Sequence, residues 1–288
     1  MIMFLARLFT RLPFKFFHLL ADLLYLLIFK LIGYRKKVVK NNLRNSFPEK
    51  SGAEIEQICR GFYRNLCDII VETIKCLTIQ PEEVKKRVTF RNKELVDRLT
   101  NEYGGIVAAT SHNANWEFMI VAIAAEGIPI EGIYRPLTNR FADKFIYEVR
   151  AHLGGYPIPI DKLVREIAKR RKDIKFLMNI ADQSPGHSAK KFWTTFLNQE
   201  TAFLKGTAYF ARLLNYPVVF VECERIKRGY YQINFKELAL PPFQKNEEDM
   251  VTRKYVDYLE DLIRRQPEDW LWSHKRWKRK RSQEEKIN

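Results

Sequence analysis

The apolar residues of this chain change their period along its length. Up to Tyr34 they are so dense in Phe, Leu and Ile that the polar residues carry the pattern. Arg7, Arg11, Lys15, His18 and Asp22 stand 4, 4, 3 and 4 apart, which gathers them into one stripe of a helix. Ser51-Gly52-Ala53-Glu54 then has the form of a capping box. It opens a helix whose apolar positions, from Ile55, Ile58 and Phe62 to Ile74 and Leu77, keep helical spacing as far as Pro81. From residue 105 onward, short apolar, β-branched runs alternate with helical stretches. Strands are expected at 105–110, 129–134, 156–160, 175–181, 217–224 and 230–236, with helices at 161–172 and 201–214. The last two strands, joined by Arg225-Ile226-Lys227-Arg228-Gly229, read as a hairpin at a sheet edge. A final helix starts near Asn246, with Glu247, Glu248 and Asp249 in its first turn, and ends at Arg264-Arg265 before Pro267. Such alternation predicts an α/β fold, a mainly parallel sheet flanked by helices.

The N-terminal segment divides from the rest as residues 1–34, leaving 35–288 as one domain of ordinary size. It is not a secretory signal, because its apolar part is long and no small-residue cleavage site follows. The helix can lie in a membrane interface and snorkel its cations to headgroups. Residues 14–34 are also long enough to span, at the cost of carrying Lys15, Asp22 and Lys30 into the bilayer. A third reading packs the helix on the protein's own core. Arg35, Lys36, Lys37 and Lys40 follow at once and suit an anionic cytoplasmic leaflet. A net charge of +16 calls for a polyanionic partner, nucleic acid or an anionic membrane surface, and the apolar N-terminus favours the membrane. The cysteines, Cys59, Cys67, Cys76 and Cys223, show no paired framework and read as reduced cytosolic thiols.

Chemistry concentrates at His112-Asn113-Ala114-Asn115-Trp116-Glu117, between the strand at 105–110 and an apolar helix. Open α/β sheets place their ligands at that strand-to-helix junction. A neutral imidazole there can take a proton from a hydroxyl while a carboxylate fixes its tautomer. The bland alternative is a partly buried histidine beside a helix-capping glutamate. The pattern is not the zinc-protease one, and the histidines (18, 112, 152, 187 and 274) are scattered, which argues against metal catalysis.

The surroundings of that box resemble the lysophospholipid acyltransferase superfamily, in particular the late acyltransferases of lipid A biosynthesis, the lauroyl and myristoyl transferases. His112 and Glu117 match the family's H-x-x-x-x-[D/E] box. Asn41-Asn42-Leu43-Arg44-Asn45-Ser46-Phe47-Pro48 resembles its N-terminal signature. Tyr134-Arg135-Pro136-Leu137-Thr138-Asn139, Ala181-Asp182-Gln183 and the stretch from Pro267 to Trp277 follow in the family's order. The resemblance implies a glycerolipid-acyltransferase-like α/β domain with an N-terminal membrane-attached helical segment at the inner membrane, catalytic domain on the cytoplasmic face. It also implies a fatty acyl group moved from acyl carrier protein, or coenzyme A, to a hydroxyl of a lipid A precursor, with no cofactor. His112 is then the general base and Glu117 its orienting partner. Acyl carrier protein is acidic and would be drawn to the basic body.

For acceptor, phosphate or oxyanion contacts the candidates are Arg135, Asn115, Asp182 and Lys205. Arg135 follows a strand and precedes a proline, where a guanidinium can hold phosphate bidentately or simply close the strand. Asp182 ends a strand, and turn chemistry before Ser184-Pro185-Gly186 explains it almost as well. Residues 192–197, between Lys190-Lys191 and Lys205, can line an acyl-chain tunnel or be plain core. Trp270, Trp272 and Trp277, mixed with Lys275, Arg276 and Lys278 to Arg281, can rest on headgroups or stack on single-stranded nucleic acid. No nucleic-acid motif accompanies them. Other lipid acceptors (a lysophospholipid, an amino-acid lipid or a glycolipid) remain open, as does a non-enzymatic basic membrane-binding protein.

Overall fold

The computed structural model describes residues 2–186, 189–244, 247–283 and 285–287, so His187 and the expected helix start at Asn246 lie outside it. Its centre is the run Ile-Val-Ala-Ala-Thr, strand β2 (Ile106–Thr110), buried at every position. A strand apolar on both faces belongs in the middle of a parallel sheet covered on both sides. β2 accordingly pairs in parallel with β5 (Phe176–Ile180) and β8 (Val218–Lys227). The full sheet has seven strands, adding β1 (Val88–Arg91), β3 (Ile130–Tyr134), β4 (Tyr156–Pro159) and β9 (Tyr230–Ala239), in the order β1-β9-β8-β2-β5-β3-β4. β8 and β9 are antiparallel and the other neighbours parallel.

Helices cover both faces. On one side α4 (Gly52–Lys75), α10 (Gly206–Leu214) and α11 (Glu248–Arg265) close a core containing Phe62, Phe203, Phe220 and Tyr255. On the other, α5 (Pro81–Arg87), α6 (Lys93–Tyr103), α7 (Trp116–Ala125) and α8 (Arg140–Ala151) close a core with Phe118, Met119, Phe176 and Phe235. A short α9 (Leu163–Arg170) follows β4. The capping box is made as its sequence implies: the Ser51 hydroxyl accepts from the Glu54 N–H while Glu54 accepts from the Ser51 N–H.

Several expectations need correction. The β8–β9 hairpin is not the sheet edge, because β1 lies outside β9. Four residues directly after the basic end of α5 are too few to show an alternating pattern. Residues 201–204 are strand, not the start of a helix. β6 (Lys191–Phe196) and β7 (Gln199–Leu204) form a separate hairpin turned at Leu197-Asn198, both at positive φ (49° and 62°). Without a glycine, that turn left no local signal. Phe192, Trp193, Phe196 and Leu197 are buried side chains of this hairpin, so the stretch proposed to line a tunnel is filled core.

The N-terminal helices α1 (Ile2–Phe9) and α2 (Phe14–Tyr25) continue through a π-helical stretch, Leu26–Ile32. Gly33 and Arg35, both at positive φ, then bend the chain by 91° into α3 (Lys36–Ser46). Among the described residues no single helix is long and apolar enough to cross a membrane. α2 lies along α4, with Phe17 and Ala21 against Cys67 and Val71. Three members of the N-terminal polar stripe bond to the body while Arg11 and Lys15 stay exposed, which corrects the expectation that the stripe as a whole faces headgroups. His18 Nε2 lies 3.1 Å from the fully buried Glu72, Asp22 accepts from Arg228 at 2.7 Å, and Arg7 pairs with Glu148 at 2.9 Å. These partners lie far along the chain, so spacing within the helix could not reveal them. The outward face carries Leu8, Leu12, Leu19, Leu23, Leu26 and Leu31, all exposed.

Candidate active site

β2, β5 and β3 run in one direction, so the residues after their last positions gather at one edge of the sheet. Those residues include His112, Asp182 and Arg135. The chain leaves β2 through Ser111 to Asn115 with Ala114 at φ 47°, and the Asn115 side chain caps α7 by accepting from the Phe118 N–H. Asp269 to Leu271 runs antiparallel beside this turn. The Ala114 N–H donates to the Asp269 carbonyl at 3.0 Å, and the Leu271 N–H to the His112 carbonyl at 3.1 Å. The turn is thus held by main-chain hydrogen bonds on both sides of the histidine.

Asp182 is almost wholly buried and accepts three N–H groups. The His112 main chain donates to Oδ2 at 2.9 Å and the Trp270 indole to the same atom at 2.8 Å, while His112 Nδ1 lies 2.6 Å from Oδ1. Burial alone would raise this carboxyl. The His112 ring and the hydrogen bonds outweigh it and hold Asp182 at about 2. An ionised carboxylate only accepts, so Nδ1 carries the proton and Nε2 presents its lone pair. That is the tautomer a general base needs. The Gln183 amide nitrogen stands 3.2 Å from Nε2, and the Trp116 ring lies edge-on to the imidazole at 5.0 Å.

Glu117 faces another partner. Arg150, from the last turn of α8, grips it bidentately at 2.8 and 2.6 Å, and the Trp116 indole donates to it at 3.1 Å. Burial pushes Glu117 up, but Arg150 outweighs that and the carboxyl is lowered, so it is an anion beside the imidazole. A cavity of about 470 Å³ opens next to Gln183 and His274, with walls from Ile28, Ile32, Leu66 and Ile70 and with Arg35 at its exposed side. His274 accepts the Ser184 N–H at Nε2, 3.2 Å away. Burial is the main cause of its fall to about 4, so it is neutral at pH 7.

The sequence model of bacterial lipid A biosynthesis acyltransferases matches residues 1–279. The chain belongs to that family. The acyltransferase is 24% identical to the lipid A biosynthesis palmitoleoyltransferase of Escherichia coli (strain K12) over 250 residues, 85% of this chain and 79% of that one. Lipid A biosynthesis acyltransferase 2 of Shigella flexneri is 21% identical over 249 residues, 84% and 77% of the two chains.

The stretches that carried the resemblance meet in space. Asn42 donates to the carbonyls of Trp272 and His274 at 2.8 and 3.0 Å, tying the N-terminal signature to the C-terminal one. Asn139 caps α8, which delivers Arg150. The roles assigned from sequence are redistributed. Glu117 was expected to orient His112, but the Nδ1 hydrogen bond goes to Asp182, 70 residues on. Asn115, proposed to bind acceptor or oxyanion, is fully buried, bonded to Phe118 and, at 2.8 Å, to Glu72. The Lys205 ammonium is paired with Asp249 of α11. Arg135 is exposed at the end of β3, and among the described residues no carboxylate pairs with it. The tryptophans expected at headgroups are structural: Trp270 and Trp272 are buried, and Trp277 donates to Thr201 at 2.8 Å. Arg150 escaped sequence reasoning because a basic residue in a helix's last turn reads as dipole compensation.

Proposed function

We propose that this acyltransferase moves a long fatty acyl group from an acyl-carrier-protein thioester to a hydroxyl of a lipid A precursor, at the cytoplasmic face of the inner membrane. The His112–Asp182 pair carries the reading, because it leaves a basic nitrogen in contact with Gln183, and Gln183 lines a cavity whose walls include Ile28, Ile32, Leu66 and Ile70. His112 Nε2 takes the acceptor's hydroxyl proton as the oxygen attacks the thioester carbonyl. The tetrahedral intermediate collapses with cleavage of the C–S bond, and the imidazolium returns the proton to the departing thiolate. Asp182 stabilises the imidazolium. Arg135, still unpaired, is placed for the acceptor's phosphate, and main-chain N–H groups of the box are the proposed oxyanion donors. The outward leucines of α1 and α2 lie in the membrane interface while Arg7, His18 and Asp22 bond the helices to the body.

The test offers lauroyl, myristoyl and palmitoleoyl carrier-protein thioesters, and one coenzyme A thioester, to the purified enzyme with a tetra-acylated lipid A precursor. Wild type transfers acyl groups and His112→Ala loses at least about 100-fold. Equal transfer by both proteins, or no transfer by wild type to this acceptor, would sink the reading. Lysophospholipids and amino-acid lipids are the comparison acceptors.

A further inference from the structure

Away from His112, a second cavity of about 720 Å³ opens between α1, α2, α5 and the turn after α4. Its lining carries five cations, Arg7, Arg11, Lys15, Lys75 and Arg87, against one carboxylate, Glu83. Glu83 is spent on Arg87 at 2.6 Å and Arg7 is paired with Glu148, a residue outside the lining. Among the described residues no carboxylate lies within ion-pair distance of Arg11, Lys15 or Lys75. Lys75 is the telling member. Only 9% exposed, it donates to the carbonyls of Thr10 and Leu12 at 2.7 and 2.8 Å, so a buried ammonium is held in the α1–α2 turn with no carboxylate in direct contact and Glu83, already spent on Arg87, as its nearby negative charge. Burial lowers its pKa, a cost that an anion in the cavity would offset. Arg87 is fixed in place as well, its guanidinium stacked 3.5 Å above the Phe14 ring.

We propose that this cavity binds a phosphate monoester, presented by a lipid whose chains lie against the outward leucines of α1 and α2. The shape of the site supports a phosphate over a carboxylate. Cations drawn from α1, α2, α4 and α5 suit a tetrahedral dianion that accepts several charge-assisted hydrogen bonds at once. The position supports a lipid source, since Arg11 and Lys15 stand next to Leu8, Leu12 and Leu19 on the same exposed surface. The inference rests on the reading that this face meets lipid.

Co-sedimentation of the full chain with vesicles tests both steps. Binding to phosphatidylcholine vesicles alone reports whether the leucine face meets lipid. Preference for phosphatidic acid over phosphatidylserine, at equal surface charge, reports the cavity. Wild type is expected to bind the phosphatidic acid vesicles about tenfold more tightly. Arg11→Ala/Lys15→Ala, two exposed substitutions, should weaken that binding about thirtyfold and erase the preference, with an unchanged circular dichroism spectrum. Equal binding of the two anionic vesicles by wild type, or a preference that survives in the double variant, overturns the proposal. A parallel melt in inorganic phosphate separates the sources: stabilisation of wild type without lipid preference would assign the cavity to a soluble phosphate ester and overturn the lipid.

Discussion

Asp182 and Asp269 are both buried aspartates, yet their surroundings push them in opposite directions. Asp182 accepts three N–H groups and stands against His112, so it is ionised at every physiological pH. Removing that charge with Asp182→Asn keeps the volume but loses the obligate acceptor at Nδ1, and the ring can then take the wrong tautomer. Acyl transfer should fall about 10²–10⁴-fold with the melting temperature little changed; a variant that kept most of its rate would remove Asp182 from the reaction. Asp269 is dominated by burial, which lifts it to about 7 although Arg225 and Asn65 pull it down. A carboxyl raised on folding contributes stability below its unfolded value near 3.8 that is lost as pH climbs towards 7. The wild-type melting temperature should therefore drop between about pH 4 and 7, and Asp269→Asn should flatten that drop; parallel curves would show that the group does not titrate there. A strand-end aspartate was visible in the sequence as a ligand-orienting candidate. Its bond to His112 was not, because strand pairing alone brings residues 70 apart together.

At the scale of elements, the long periodic segments were legible and the short ones were not. β2, β5 and β8 announce themselves as apolar runs and α4 by its capping box. β1 and the β6–β7 hairpin, by contrast, depend on partners elsewhere in the chain. The same limit hid the link between α7 and α8. Glu117 and Arg150 are each at most about one-sixth exposed, and their bidentate pair joins the helix after the His112 turn to the one after β3. Truncating either partner strands a buried charge, which typically costs about 3–5 kcal/mol. A double-mutant cycle with Glu117→Ala and Arg150→Ala, read by urea unfolding, should give a double variant clearly more stable than the sum of the single losses. Strict additivity would mean that the pair is not formed in solution.

For the whole molecule, composition suggests an anionic partner and leaves open where the basic and apolar surfaces lie. Most of the +16 excess is held by the α/β body, whereas the apolar excess at the N-terminus is split between two faces of the same helices. One face, with Phe14, Phe17 and Ala21, completes the core; the other leaves its leucines exposed, Leu31 at 79%. Sequence spacing could identify the polar stripe but not its partners, because Glu148, Glu72 and Arg228, far along the chain, supply its counter-charges. The buried Glu72 under His18 and the packing of Phe17 and Ala21 on Cys67 and Val71 would be costly to strip away, so the helices are expected to stay on the body and dip only their outward side into lipid. That arrangement sets lipid binding apart from folding. Leu19 and Leu23 are more than half exposed, and replacing both with Glu removes burial that exists only in the bilayer. At roughly 1.5–3 kcal/mol for a fully buried leucine, even partial insertion makes the double substitution worth at least tenfold in vesicle affinity. Thermal stability in the absence of lipid should stay close to wild type, and transfer to a vesicle-borne acceptor should fall in step with binding. A large loss of stability without lipid would instead show that these leucines pack against protein.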